Sequence, residues 1–211
     1  MFDTSYSRGL LTSATFTPLR WRGRALPTSI MSQIPNATFA QIPWTQEIQD
    51  GKSCGLPQTF SVQERWQGKK VVIVSVPGAF TPTCHLNHLP PFIQHLDNLK
   101  AKGVDEVVAI AANDPFVMSA WAVSEGARDK VLFAQDINAE FSKALGSVVE
   151  APAGSGFENK DSGFTLDLST KGMGVRTARY ALVVDNLKVV YFGLDPQGLD
   201  NSSYEAVLAK L

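Results

Sequence analysis

The chain of 211 residues is poor in cysteine and histidine and has no surplus of charge. It contains two cysteines and three histidines, and its 19 basic residues are balanced by 20 acidic ones. Two cysteines are too few for a disulfide scaffold, and balanced charge argues against nucleic acid or anionic membranes as partners. No apolar run reaches the roughly 18 residues that a membrane-spanning helix needs. A hydrophobic content of 44% is ordinary for a folded domain with its own core.

The two ends of the chain carry possible targeting signals. Residues 1–38 contain four arginines, no lysine and one acidic residue, Asp3, among many serines and threonines. This composition is typical of a mitochondrial transit peptide, although a disordered tail would share it, and Met31 would start a product without most of it. Ala209-Lys210-Leu211 is a variant of the peroxisomal Ser-Lys-Leu signal. We therefore predict a presequence or tail over 1–38 and a folded domain over 39–211. The expected location is the mitochondrion, with the peroxisome or cytoplasm as alternatives.

Hydrophobic patterning predicts alternating strands and helices. Pro90-Pro91 should kink or split the first long helix, and residues 150–176, rich in Gly, Ser, Asp and Lys, predict a long surface excursion. The order of elements predicts an α/β fold, a three-layer sandwich with a mixed central sheet. Strands are predicted at 71–76, 107–112 and 131–134, helices at 84–102, 115–125, 138–145 and 202–211, and a hairpin at 179–192.

The loop before Cys84 is the strongest local signal of chemistry. Pro77 and Pro82 stiffen this loop, and Cys84 stands at the predicted start of a helix. Free backbone N–H groups and the helix dipole favour a nucleophilic thiolate at such a position. Thr81, three residues earlier, can direct its hydroxyl at the sulfur. The alternative is that Cys84 is a small buried hydrophobe and Thr81 an ordinary cap.

The residues of this region also allow other interpretations. His88 lies four residues after Cys84, which would suit a Cys–His hydrolase or a pair of metal ligands. The chain has no Cys-x-x-Cys or His-x-x-x-His spacing to complete a closed zinc site, so we predict neither a metal nor a cofactor. Phe116 and Trp121 are candidates for a pocket wall, a dimer surface or the core.

The run PGAFTPTCHLNHLP, residues 77–90, contains Pro-x-x-x-Thr-x-x-Cys and resembles the signature loop of peroxiredoxins. The resemblance is to the type II, or peroxiredoxin-five, branch and to fungal alkyl hydroperoxide reductases. It continues through residues 100–121 and 177–186 and covers the chain from about residue 40 to the end. It implies a thioredoxin-like fold and an antioxidant peroxidase that reduces hydrogen peroxide and organic hydroperoxides. Cys84 would be the attacking cysteine and would become a sulfenic acid.

The same resemblance assigns roles to further residues. Thr81 matches the threonine that hydrogen-bonds the sulfur and the peroxide, and Pro77 matches the proline that shields the pocket from water. Arg179 matches the active-site arginine, with Arg176 as the neighbouring alternative. His88 matches the family's His-Leu-Pro sequence, which implies a supporting polar role.

The second cysteine, Cys54, also lies in a recognisable segment. Ser53-Cys54-x-x-Pro57-Gln58-Thr59 resembles the region around the resolving cysteine of fungal alkyl hydroperoxide reductases, whose disulfide joins two subunits of a homodimer. The resemblance implies that Cys54 resolves Cys84 between chains and that thioredoxin recycles the disulfide. The alternative is a one-cysteine enzyme recycled by glutathione or glutaredoxin. A redox-regulated holdase or peroxide sensor also stays open, since it would differ from an enzyme in turnover.

Overall fold

The computed structural model describes residues 32–159 and 161–211, so most of the predicted presequence and Met31 lie outside the described residues. The strands are β1 (Thr38–Gln41), β2 (Gln58–Ser61), β3 (Lys70–Ser75), β4 (Glu106–Ala111), β5 (Leu132–Asp136), β6 (Thr165–Asp167), β7 (Val175–Thr177), β8 (Tyr180–Asp185) and β9 (Lys188–Leu194). The α-helices are α1 (Gln46–Gln49), α2 (Val62–Trp66), α3 (Pro90–Gln94), α4 (Leu96–Ala101), α5 (Pro115–Ser124), α6 (Glu140–Leu145) and α7 (Tyr204–Leu208), and a π-helix spans Cys84–His88. No helix within these described ranges is long and apolar enough to span a membrane.

A seven-stranded mixed sheet organises the fold in the order β2-β1-β5-β4-β3-β8-β9. Strands β3, β4 and β5 run parallel, whereas β8 is antiparallel to β3. Successive side chains of a strand point to opposite faces, so Val72 and Val74 of β3 join one core cluster and Val71 and Ile73 join the other. The predicted three-layer α/β sandwich with a buried central strand at 71–76 is confirmed.

The prolines divide the predicted helix 84–102 into three pieces. Pro90 and Pro91 cannot donate to the preceding turn, and the chain there adopts the wider π-helical register before α3 and α4. The amide of Leu89 accordingly donates to the carbonyl of Cys84 at 3.2 Å. The predicted helix after Asn113 begins as expected, because the Asp114 carboxylate accepts from the amides of Phe116 and Val117.

The segment 150–176 is not the purely surface excursion that its composition predicted. Phe157 and Phe164 are buried in the second core cluster, and β6 and β7 form a small hairpin. The backbone is pressed against α6 at Gly163, where an added Cβ would lie 2.1 Å from the carbonyl oxygen of Lys143. Isolated aromatics between polar residues produce no periodic signal, which is why the sequence predicted an exposed loop here.

The start of the folded region also contains elements that the sequence analysis did not predict. Strands β1 and β2 pair with each other, and β1 extends the sheet by pairing with β5. Before β1, Ile34 is buried and Gln33 pairs with Lys188. Contacts with the sheet therefore begin before residue 39, while the role of the residues before 32 stays a prediction.

Candidate active site

The loop after β3 holds the candidate nucleophile in a buried position. Cys84 has no exposed surface and lies in the first turn of the π-helix, where the amide of His85 donates to the carbonyl of Thr81 at 2.9 Å. The Thr81 hydroxyl donates to the carbonyl of Gly78 at 2.9 Å. Because its proton is committed to Gly78, the Thr81 oxygen is left free to accept a hydrogen bond.

Three polar side chains fix this loop to its neighbours. The Asn113 side-chain oxygen accepts from the amide of Ala79 at 3.0 Å. The hydroxyl of Ser75 donates to the carbonyl of Ala178 at 2.9 Å, and that of Thr177 donates to the carbonyl of Val76 at 2.7 Å. The last two bonds join the end of β3 to the segment that leads into Arg179. Sequence reasoning missed all three residues, because nothing in a pattern of single polar residues at strand ends identifies their partners.

Arg179 is oriented by a fully buried histidine. Its Nη1 donates to Nδ1 of His88 at 3.0 Å, and Nε2 of His88 donates to the carbonyl of Ser202 at 2.9 Å. Burial, and next the positive charge of Arg179, lower the pKa of His88 from 6.5 to about 4. The imidazole is therefore neutral near pH 7, with its lone pair on Nδ1 free to accept from Arg179.

A cavity of about 180 Å³ lies beside the loop of Cys84, and Cys84, Thr81 and His88 are not among its lining residues. Pro77 and Arg179 both line it. Among the described residues, no carboxylate oxygen lies within 4.0 Å of the Arg179 side chain, so Arg179 forms no salt bridge with them. The lining residues are Pro77, Thr83, Phe157, Leu166, Arg179, Asp195, Pro196, Gln197 and Gly198.

Arg176, the alternative arginine, is directed elsewhere. It lies in β7, and its Nε donates to the carbonyl of Met173 at 2.6 Å within the β6–β7 hairpin. It does not line the 180 Å³ cavity. The geometry therefore favours Arg179 as the cation beside the loop of Cys84.

The structure does not bring Cys54 near Cys84 within one chain. Both are free thiols, and Cys54 is exposed whereas Cys84 is buried. Cys54 precedes β2, which lies four strands from β3, or about 19 Å across the sheet at the usual spacing of strands. Cys54 also lies at the end of the sheet where β3 begins, opposite the end that carries Cys84. A disulfide needs Cα atoms within about 7 Å, so the two cannot pair inside this fold.

The outer side of the Cys84 turn carries a polar cluster and exposed apolar side chains. Nδ1 of His85 lies 2.5 Å from Oε1 of Glu125 and 3.0 Å from Nε1 of Trp121. Burial raises the pKa of Glu125, and its hydrogen bond with His85 opposes that shift.

The two aromatic residues that the sequence left undecided have different environments. Trp121 belongs to the core, whereas Phe116 is 49% exposed. In the part of the chain that the structure describes, no group of three His, Cys, Asp or Glu side chains is placed to hold a metal.

The geometry suits attack by a buried sulfur on a small polar substrate whose leaving atom gains negative charge. The Redoxin family model matches residues 32–208. A putative peroxiredoxin of Malassezia furfur is 55% identical over 182 residues, which cover 86% of this chain and 99% of that protein. A putative peroxisomal peroxiredoxin of Lipomyces kononenkoae is 41% identical over 174 residues, covering 82% of this chain and 94% of that one. The crystal structure of reduced Prx3 from Vibrio vulnificus in complex with hydrogen peroxide superimposes with a TM-score of 0.68 at 37% identity, over 85% of this chain and 96% of that chain. The chain belongs to the Redoxin family and, within it, to the peroxiredoxins, which are peroxidases of the oxidoreductase class.

Proposed function

We propose that the protein reduces hydrogen peroxide and organic hydroperoxides in antioxidant defence, with Cys84 as the nucleophile. The Cys84 thiolate attacks one peroxide oxygen, the O–O bond breaks, and the other oxygen leaves as hydroxide or alkoxide and is protonated to water or alcohol. Cys84 becomes a sulfenic acid. Pro77 keeps water from the site, and the oriented oxygen of Thr81 accepts from the O–H of the peroxide.

The position of Arg179 on the cavity wall, without a salt bridge to any described carboxylate, is the observation that carries this proposal. The guanidinium lines the cavity, and its described side-chain partner is the neutral His88 rather than a carboxylate. A positive group held in place before the reaction stabilises charge that develops on the leaving oxygen, at no cost for reorganisation. A Cys–His hydrolase would instead need His88 as a base on the sulfur, but both ring nitrogens of His88 are already engaged by Arg179 and Ser202.

We further propose that Cys54 of a second subunit resolves the sulfenic acid. Its thiol would displace the hydroxyl of the sulfenic acid as water and form an intersubunit disulfide, which thioredoxin then reduces. The separation of Cys54 and Cys84 within one chain supports this route, and it supports equally a one-cysteine cycle with glutathione or glutaredoxin. Because Cys84 is fully buried, its turn must open before any second thiol can reach the sulfur.

A homodimer would place its interface beside this turn. Phe80, Leu86 and Phe116 are exposed by 49%, 67% and 49%, and all three lie on the segments that surround the Cys84 turn. Such a group of apolar side chains on one face is typical of a protein contact surface. A second copy of this chain is the occupant that we propose for this face. Sedimentation of Phe116→Glu should show a shift to monomer if this face forms the dimer, and an unchanged dimer would move the interface elsewhere.

Oxidation with one equivalent of hydrogen peroxide tests the chemistry directly. Non-reducing gels and intact masses would be compared for the wild type, Cys54→Ser and Cys84→Ser. We expect a disulfide-linked dimer that both substitutions abolish, with a sulfenic acid accumulating on Cys84 in Cys54→Ser. A wild-type monomer that gains one oxygen would instead support the one-cysteine cycle. A Cys84 that does not react would refute the peroxidase, and a single oxidation without turnover by general reductants would favour a sensor or holdase.

The location of the protein is a separate proposal. The relative from Lipomyces kononenkoae is named peroxisomal, which fits the C-terminal Ala209-Lys210-Leu211 of this chain. Leu211 packs partly against the first core cluster, so a receptor would have to detach it. Fluorescent fusions that mask either terminus decide between the peroxisome, reached through the C-terminus, and the mitochondrion, reached through residues 1–38. A cytoplasmic signal in both fusions would refute both addresses.

A further inference from the structure

The loop between β9 and α7 is organised around one buried carboxylate, that of Asp195. Asp195 is 4% exposed. Its Oδ2 accepts from the amides of Asp200 and Ser202 at 3.0 and 2.8 Å and from the Ser202 hydroxyl at 2.7 Å. Its Oδ1 accepts from the amide and side-chain nitrogen of Asn201 at 2.9 and 3.1 Å. Five donors thus converge on one side chain, which compensates its buried charge.

Asp195 is connected to Arg179 by two routes. Directly, the amide of Asp195 donates to the carbonyl of Arg179 at 3.0 Å and fixes the backbone of the arginine. Indirectly, the Asp195 carboxylate holds Ser202 so that the Ser202 carbonyl accepts from Nε2 of His88. That bond keeps the His88 proton on Nε2 and leaves the lone pair of Nδ1 for Arg179.

We call the series of hydrogen bonds from Asp195 through Ser202 and His88 to Arg179 the relay. It depends on a carboxylate because both carboxylate oxygens act only as acceptors. An asparagine at position 195 would have one oxygen and one NH₂ group. The NH₂ group would then face N–H or O–H donors of the loop where a carboxylate oxygen now accepts from them. The loop would then shift and withdraw the Ser202 carbonyl from His88. His88 is buried, and a proton moved to Nδ1 would point at the N–H of Arg179, so the guanidinium would lose its orientation.

We propose that Asp195 is a positioning residue of the peroxidase reaction, holding Arg179 toward the leaving oxygen through Ser202 and His88. This rests on the proposed peroxidase function and adds to it a carboxylate that touches neither the substrate nor Cys84. Asp195 also lines the cavity with Arg179, but its oxygens are occupied by the loop.

Asp195→Asn tests the proposal against a matched control, Asp200→Asn. Both substitutions remove one negative charge from the same loop, but Asp200 is exposed and its carboxylate makes no described hydrogen bond. Oxidation by hydrogen peroxide can be followed by stopped-flow fluorescence, since Trp121 contacts the residue next to Cys84. Loss of one oriented, charge-assisted contact should slow oxidation about tenfold to hundredfold in Asp195→Asn, and Asp200→Asn should stay within about twofold of the wild type. An equal rate in Asp195→Asn and the wild type would overturn the proposal.

A double variant separates positioning from a general loss of stability. In a His88→Leu background the relay is already cut, so adding Asp195→Asn should slow oxidation by less than about threefold. If the losses of the two single variants instead multiply, Asp195 does not act through His88. Nitrogen NMR provides a second readout, because three histidines are easily assigned. We expect the Nε2–H tautomer of His88 in the wild type and its loss in Asp195→Asn, and an unchanged tautomer would contradict the relay.

The remaining outcomes distinguish the positioning role of Asp195 from the proposed peroxidase function. If Asp195→Asn does not fold, Ser202→Ala removes one of the five donors and should still slow oxidation about threefold, so an unchanged rate would refute the relay. A wild-type Cys84 that fails to react with peroxide would refute the proposed function and this proposal together. A fast wild type with an equally fast Asp195→Asn refutes the positioning role alone.

Discussion

The neutral state of His88 makes the stability of the protein depend on pH in a calculable way. In the folded protein the pKa of His88 is lowered to about 4 by burial and by Arg179. In the unfolded chain it returns to its usual value of about 6.5. Between these values the unfolded state binds more protons than the folded state, so the free energy of unfolding falls as the pH falls through this window. Below pH 4 the folded protein would hold two positive groups whose nitrogens are 3.0 Å apart.

The size of the effect follows from the two pKa values. Linkage predicts a loss, relative to pH 7, of about 1 kcal/mol near pH 5.5 and about 2 kcal/mol near pH 4.5 from this group alone. Typical domains are stable by only about 5–15 kcal/mol, so a loss of this size is easily measured.

His88→Gln is the matched variant for this measurement. A glutamine amide does not titrate, yet its NH₂ can donate to Ser202 and its oxygen can accept from Arg179. Urea unfolding of both proteins would be followed by tryptophan fluorescence at several pH values between 7 and 4.5. Buried carboxyl groups with raised pKa values, such as Glu125 and Asp136, contribute alike to both proteins. The wild type should lose stability relative to His88→Gln by the amounts given, and parallel curves would refute the neutral, buried imidazole.

Three further predictions concern single side chains. Arg179→Lys should slow oxidation by peroxide about 100-fold or more in stopped-flow measurements, because a single ammonium nitrogen replaces the rigid fork that offers one nitrogen to His88 and others to the leaving oxygen. A loss below about threefold would contradict the role of Arg179. Thr81→Val should slow the same step about tenfold or more, and Thr81→Ser should slow it much less because serine keeps the hydroxyl oxygen. Equal rates in the two variants would show that the hydroxyl does not contribute to the reaction. Ser142→Ala should lower the free energy of unfolding by about 1–3 kcal/mol in urea titrations without slowing oxidation. The reason is that its hydroxyl donates to the buried Asp136 carboxylate and contacts the Tyr180 hydroxyl, each at 2.7 Å.

Local sequence determined the elements whose cause is local. The apolar run at 71–76 could only form a buried strand, Asp114-Pro115 capped and opened α5, and two consecutive prolines had to interrupt the helix after Cys84. The loop at 77–84 likewise indicated the candidate nucleophile, because its prolines, Thr81 and Cys84 lie within eight residues of the chain. These features depend on backbone sterics and on hydrogen bonds over a few residues, which a single sequence displays.

Tertiary structure decided everything that depends on the order of strands in the sheet. His88 and Arg179 are 91 residues apart, and only the pairing of β3 with β8 makes them neighbours. The same order puts β2, and with it Cys54, far from β3. The burial of Phe157 and the convergence of five donors on Asp195 are further consequences of packing. Contacts of this kind have no periodic or local signature. The amino-acid sequence therefore indicated the candidate reactive residues, and the packed sheet determined how they are oriented toward one another.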